Sequence, residues 1–165
     1  MIAPLRVVTM AAGVSVVWVI GASQIPTHER LPVAGVVAGA VISQPFGCTS
    51  FELEPYDPFC PGRHIHTGVD LVAPLGTAVH SASSGVAYAG VDPDGAGNFV
   101  MVVADAHVHV YYCHLSSIGV VNGQTVSAGQ VIGALGESGK ATGPHLHFEV
   151  QVDGTSVDPV AWLAS

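Results

Sequence analysis

Two short stretches of this chain carry side chains that could do chemistry, and they lie far apart in sequence. The later one is Gly143-Pro144-His145-Leu146-His147-Phe148-Glu149-Val150. Read as a strand, it alternates with period two. His145, His147, Glu149 and Gln151 then share one face, and Leu146, Phe148, Val150 and Val152 share the other. The apolar face needs a core. The two imidazoles would repel each other if both were charged and would need partners if both were buried. A metal ion meets both needs, because neutral imidazole is a ligand for zinc. The plainer alternative is a surface strand that happens to show two histidines.

The earlier stretch is Arg63-His64-Ile65-His66-Thr67-Gly68-Val69-Asp70. His66 and Asp70 stand four apart. On a strand they share a face, with Gly68 between them leaving space for an ion. Thr67, Gly68 and Val69 disfavour a helix here. His66, Asp70 and one imidazole of the later pair would supply two nitrogens and a carboxylate oxygen. Three ligands with an open fourth position describe a catalytic zinc rather than a structural one. Spacing leaves His64 as a rival ligand and does not separate His145 from His147. A third group, Tyr111-Tyr112-Cys113-His114-Leu115, ends an apolar run. Alternation puts His114 on the face of Val108, Val110 and Tyr112 and turns Cys113 away from it. A lone histidine in that place is ordinarily a hydrogen-bonded core residue. Cys113 reads as a buried free thiol, and opposite facing argues against its acting as a nucleophile with His114.

Something must hold these groups in place, and the composition allows it. The chain has 165 residues, 49% of them hydrophobic, enough for one domain with a sizeable core and an N-terminal appendage. The formal charge is −8, with four Lys+Arg against nine His. So few cations argue against nucleic-acid binding and against electrostatic docking on an anionic membrane. Residues 1–25 read as a secretory signal peptide or an uncleaved membrane anchor. Arg6 precedes an uncharged apolar run, and Gly21-Ala22-Ser23 offers small residues for cleavage. Either reading exports the rest, and any membrane association is confined to that segment. Residues 26–42 read as a linker, with a first strand near Val41 as the alternative for its end.

From residue 43 to 165, short apolar runs alternate with Gly, Pro, Asp and Asn, which predicts a mainly β domain. Candidate strands are 68–72, 78–81, 86–89, 99–103, 108–114, 131–134 and 145–152. Turn signals fall at Asp92-Pro93-Asp94-Gly95, Asn122-Gly123 and 139–144. Asp158-Pro159-Val160-Ala161-Trp162-Leu163 predicts a closing helical turn that packs Trp162 and Leu163 on the core. Of the three cysteines, Cys48 and Cys60 bracket a loop just before the first histidine cluster. In an exported chain they are expected to form a disulfide.

Taken in order, these motifs resemble one family. They are His66-Thr67-Gly68-Val69-Asp70-Leu71, Gly76-Thr77-Ala78-Val79, Gly97-Asn98, Tyr112-Cys113-His114-Leu115, Gly129-Gln130-Val131-Ile132-Gly133, Gly143-Pro144-His145-Leu146-His147-Phe148-Glu149 and Val157-Asp158-Pro159. In identity and order they resemble the lysostaphin/LytM-type zinc metalloendopeptidases, the M23 peptidase family, over about 43–163. The resemblance implies a small antiparallel β-sheet or sandwich domain with the zinc in a groove across the sheet. It implies cleavage of stem or cross-bridge peptides in bacterial peptidoglycan. It implies one Zn2+ per chain on His66, Asp70 and His147, with His114 and His145 catalytic. A monomer is expected.

Glu149 is a candidate partner fixing an imidazole tautomer, with an exposed strand glutamate as the equal alternative, and His64 is expected to be solvated, with lining of the groove as the alternative. Some members of the family place a tyrosine six residues before the first zinc histidine. Here that position is Cys60; either Tyr56 replaces the tyrosine or the two histidines suffice. A phosphate loop at 133–141 is excluded, since Ala134 and Ala141 stand where glycine and a hydroxyl are needed. A lipoyl- or biotin-type carrier lacks its hairpin lysine, and D-Ala-D-Ala-type zinc peptidases space the histidine and aspartate more widely. The non-enzyme rival is a catalytically silent envelope module on the same fold; the five filled positions favour an enzyme.

Overall fold

The computed structural model describes residues 30–165. The apolar segment 1–25, read as a signal or anchor, lies outside the described residues. Among the described residues no helix is long and apolar enough to cross a membrane.

In chain order the elements are α1 (Val33–Val36), β1 (Val41–Gln44), β2 (Gly47–Thr49), β3 (His64–His66), β4 (Val69–Val72), β5 (Ala78–His80), β6 (Gly85–Asp92), β7 (Gly97–Val103), β8 (Val108–Leu115), β9 (Ser117–Ile118), β10 (Gln124–Val126), β11 (Val131–Ala134), β12 (Leu146–Val152), β13 (Thr155–Val157) and α2 (Pro159–Leu163). An eight-stranded sheet runs β1-β4-β12-β8-β7-β6-β10, with β13 paired to β12. Three strands, β5-β11-β9, form a second sheet, and β2-β3 a two-stranded ribbon. The named pairs are antiparallel. Local chemistry sets the hairpins: Asp153 and Gly154 both take positive φ between β12 and β13, as a two-residue turn matched to strand twist requires.

The core follows from alternation. Phe148 sits opposite Val69 on one neighbour and Tyr112 on the other, and Val150 opposite Val110. All five are buried. The Tyr112 hydroxyl accepts the Ala82 N–H at 2.7 Å, which satisfies the one polar atom of a wholly buried ring. At the C-terminus Asp158 caps α2 through the Val160 amide and Pro159 starts it. Trp162 covers the core's edge with the Arg30 guanidinium 4.2 Å above its ring.

Residues 33–37, read above as linker, belong to the domain. Val36 and Val37 are fully buried, and Leu31 N–H reaches the Ala82 carbonyl. Burying each valine stabilises by about 1.5–3 kcal/mol, which offsets a large part of the cost of ordering the turn, about 1–2 kcal/mol per residue.

Cys48 and Cys60 are joined. The bridge closes the loop that leads into β3, and Phe51, Leu53, Glu54 and Pro55 of that loop wall the groove described below. Replacing both cysteines by alanine is expected to cost about 3 kcal/mol, from the loop-closure entropy restored to the unfolded chain. That corresponds to a fall in Tm of on the order of 10 °C, to be read by calorimetry at fixed metal concentration. An unchanged Tm would mean the loop is held by its packing alone.

Candidate metal centre and active site

β12 is the middle of the site. Across three strands, Asp70 on β4, His147 on β12 and Cys113 on β8 stand in one row. In an antiparallel sheet such partners point to the same face. That face is opposite to the core row of Val69, Phe148 and Tyr112. His66 comes from elsewhere: β3 ends at it, and the chain crosses from ribbon to main sheet at Thr67-Gly68. The stretch 66–70 is therefore two strands with a break. Gly68 makes room for protein rather than for an ion. A Cβ there would lie 2.5 Å from the Phe148 carbonyl oxygen and 2.9 Å from His147 Nε2.

Three atoms converge. His66 Nε2 is 3.1 Å from Asp70 Oδ1, His147 Nδ1 is 3.1 Å from the same oxygen, and the two nitrogens are 3.0 Å apart. Ligand bonds of 2.0–2.1 Å in a tetrahedron place neighbouring donor atoms about 3.3 Å apart. The cluster has nearly those edges. The far side of each ring fixes its tautomer. His66 Nδ1–H donates to the Pro45 carbonyl at 3.0 Å, and His147 Nε2–H points to Glu149 Oε2 at 3.4 Å. Both inner nitrogens therefore face one point together with the Asp70 oxygen, a gathering that a cation or a shared proton must hold together. The residues present fit a divalent metal.

Electrostatics agree. Burial alone would raise the Asp70 carboxyl, but hydrogen bonds from His147 and His66 hold it well below the usual carboxylate range. Burial alone would lower His147, but Asp70 and Glu149 raise it to about 9. Burial likewise works against Glu149, yet its hydrogen bonds bring it down to about 2. The Glu149 carboxylate accepts from Thr67 Oγ1, Gln151 Nε2 and Ser156 Oγ at 2.7–2.9 Å. It is a half-buried, firmly held anion behind the His147 ring.

His145 and His114 stand beside the trio. His145 Nε2 is 3.7 Å from Asp70 Oδ1, and the His114 and His145 ring centroids are 4.7 Å apart. His145 Nδ1–H donates to the Gly143 carbonyl and His114 Nδ1–H to the Ser138 carbonyl. Each ring therefore keeps its Nε2 clear of that anchoring bond. Burial lowers the His114 pKa, which keeps its ring neutral and able to accept a proton.

The placement of His114 corrects the alternation argument. Between the pairs Asn98↔Leu115 and Val100↔Tyr112, β8 has two residues and β7 one. This is a β-bulge, and His114 takes φ 62° within it. A left-handed non-glycine residue costs about 1–2 kcal/mol, and such strain gathers where a bulge re-aims a side chain. Leu115 thereby returns to the core. His114 leaves the Tyr112 face and joins Cys113 on the groove side. Cys113 is still a buried free thiol, pushed up to about 12 by burial and by Glu149, Asp70 and Asp92, so it is no nucleophile. The missed signal was the spacing of Val108, Val110, Tyr112 and Leu115, whose last step is three residues instead of two.

His64 is not solvated. It is half-buried, its Nδ1–H donates to the Glu54 carbonyl at 2.7 Å, and its ring meets Tyr56 edge-on. It is tied to the disulfide loop, away from the trio. Cys60 is consumed by the disulfide. The Tyr56 hydroxyl accepts from Arg63 at 3.3 Å on the exposed side and does not line the groove. The two histidines are left as the groups beside the open face. That face forms an open groove of about 270 Å³, lined by Asp70, His114, His145, His147 and Glu149 among others.

Comparisons with known proteins agree with this geometry. The model of "Peptidase family M23" matches residues 64–159. The DD-carboxypeptidase/endopeptidase Mpg of Neisseria meningitidis is 38% identical over 120 residues, which are 73% of this chain and 26% of that protein. The chain thus spans about a quarter of the length of the curated relatives it matches. Among solved structures, a zinc-containing peptidase from Vibrio cholerae aligns with TM-score 0.67 at 33% identity, over 81% of this chain and 39% of that one. The catalytic domain of lysostaphin from Staphylococcus simulans aligns with TM-score 0.64 at 34% identity, over 76% of this chain and 93% of that domain.

Proposed function

The chain belongs to peptidase family M23, and from that premise we propose that it is a zinc-dependent endopeptidase acting on the stem or cross-bridge peptides of bacterial peptidoglycan. The observation that carries the proposal is the convergence of His66 Nε2, Asp70 Oδ1 and His147 Nδ1 on a point open to a groove that two further imidazoles face. His66, Asp70 and His147 would hold the ion. Bound there, zinc supplies Lewis acidity and lowers the pKa of a water towards about 7. The other steps belong to this chain's side chains. His114 and His145, each anchored through Nδ1, would turn Nε2 to the substrate. They share the work of taking the proton from the attacking water, steadying the oxyanion and returning the proton to the departing amine. The disulfide supports an oxidising compartment outside the cytoplasm.

The test is peptidoglycan clearing by the purified chain with zinc, with chelator, and with zinc restored. Clearing that stops on chelation and returns with zinc is the expected result. Stoichiometric zinc binding without clearing of any wall type would mean a silent binding module.

Glu149 gives a graded prediction. Glu149→Gln keeps the shape but removes the charge behind the His147 ring and puts an amide where three donors point. Zinc affinity, measured by competition with a chelator, is expected to fall by about 10–100-fold. An unchanged affinity would reduce Glu149 to a packing residue.

A further inference from the structure

His114 sits at a left-handed position inside a bulge, and something must hold it there. Two segments do so. The His114 N–H donates to the Ala96 carbonyl at 2.8 Å, and the His114 carbonyl accepts from the Ser138 N–H at 3.4 Å. The ring Nδ1 meets the Ser138 carbonyl at 2.9 Å. Ser138 therefore holds this histidine at the backbone and at the ring.

The Ser138 side chain reaches further. Asn98 and Leu115 are the strand pair that closes the bulge. The Ser138 hydroxyl touches both of them. It accepts from the Asn98 N–H at 2.9 Å and donates to the Leu115 carbonyl at 2.8 Å, which uses its proton and one of its lone pairs. The Asn98 side-chain amide donates to the same carbonyl at 3.0 Å. A loop serine ordinarily bonds its own near neighbours. These partners lie 40 and 23 residues away, so one hydroxyl joins a loop to two strands. The backbone is shaped to admit it. Gly97 takes φ 65°, and a Cβ there would lie 2.4 Å from Ser138 Oγ.

Neither Ser138 nor Asn98 is among the residues that line the groove, whereas His114 is. Their route to the chemistry runs through the imidazole they hold. We infer that Ser138, supported by Asn98, is a positioning residue of the reaction: its hydroxyl closes the bulge that turns His114 into the groove. This rests on the reading of the groove as a peptidase site and of His114 as one of its acid-base groups. A reacting group misplaced by about 1 Å costs on the order of 10²-fold in rate.

The experiment compares the zinc-loaded chain with Ser138→Ala, Ser138→Thr, His114→Ala and the Ser138→Ala/His114→Ala double variant on a synthetic cross-linked wall peptide. Ser138→Ala is expected to lower kcat by about 10–100-fold, with KM and zinc content unchanged. Ser138→Thr keeps a hydroxyl and should recover most of that loss. On the His114→Ala background the serine change should have no further effect, because the group it positions is gone. NMR of the histidine ring nitrogens gives a readout that needs no turnover. The His114 Nδ1–H is covered by the Ser138 carbonyl and should exchange about tenfold faster in Ser138→Ala. Full kcat in Ser138→Ala, zinc lost along with kcat, an equal loss with and without His114, or an unchanged ring exchange would overturn the inference. If Ser138→Ala does not fold, Asn98→Ala, which removes one of the two side-chain donors on the Leu115 carbonyl, is held to the same readings. No hydrolysis by the unsubstituted chain, with ring exchange still faster in Ser138→Ala, would overturn the peptidase reading alone.

Discussion

Replacing His145 by alanine is expected to leave one zinc per chain in place and to lower kcat by about 10²–10⁴-fold, the range over which a positioned acid-base group contributes. The expectation rests on geometry. His145 Nε2 lies 3.7 Å from Asp70 Oδ1, outside the cluster of atoms that meet at 3.0–3.1 Å. Its main chain is anchored separately, by its N–H on the Gly136 carbonyl, so truncating the ring does not release the strand that carries His147. Metal content after dialysis and steady-state hydrolysis of a cross-linked peptide measure the two halves. The diagnostic result is separation: metal kept, turnover lost. If zinc leaves in proportion to activity, the assignments of His145 and His147 are reversed. His114→Ala tests the same chemistry less cleanly, because His114 occupies a left-handed position. Alanine there carries strain without the hydrogen bond to Ser138 that rewards it, and some of its effect would be structural. The two losses should not add, since the rings act on one proton path.

The contrast between His147 and His114 marks what could be read from the chain alone. The face of His147, though not its role as against His145, was legible in the local pattern, because β12 is a plain strand and alternation holds along it from Leu146 to Val152. Period two puts every second residue on the groove face, and the apolar residues between them into the core. His114 was not, because one extra residue in β8 shifts everything after it by one place. The histidine changes face, and a leucine fills the core position that alternation would give it. The stretch from His66 to Asp70 failed in a related way. The shared site was legible, while the break at Thr67-Gly68 that assigns the two residues to different sheets was not. Turn 33–37 was misread as tether because four apolar residues carry no period, and only the surrounding sheet shows where they go. Local alternation and turn chemistry survive the journey from sequence to structure. Bulges and docking of short apolar pieces depend on partners far along the chain.

Replacing His147 by alanine is expected to remove metal and hydrolysis together. Loss of affinity should exceed the roughly 100-fold that losing an outer partner costs, so Glu149→Gln and His147→Ala order themselves on one titration. The pH dependence gives a second handle. In the metal-free site His147 is raised from 6.5 to about 9, with Asp70 and Glu149 overcoming its burial. Near pH 7 the ring therefore carries a proton that zinc must displace. Calorimetric titration in two buffers of different ionisation enthalpy should count about one proton released at pH 7. Zinc affinity should climb about tenfold per pH unit towards pH 9 and then flatten. The stability of the metal-free protein runs the opposite way. A group whose folded pKa is raised contributes stability that is fully present below its unfolded value, near 6.5. That stability is lost as pH rises through about 9. Between pH 7 and 9 the metal-free chain should lose Tm while zinc holds progressively tighter. Glu149→Gln should move both trends to lower pH, because it removes one of the two carboxylates that hold the proton on His147. Zero proton release at pH 7, with affinity flat from 7 to 9, would mean that His147 already stands neutral and that the carboxylates around it do not set its charge.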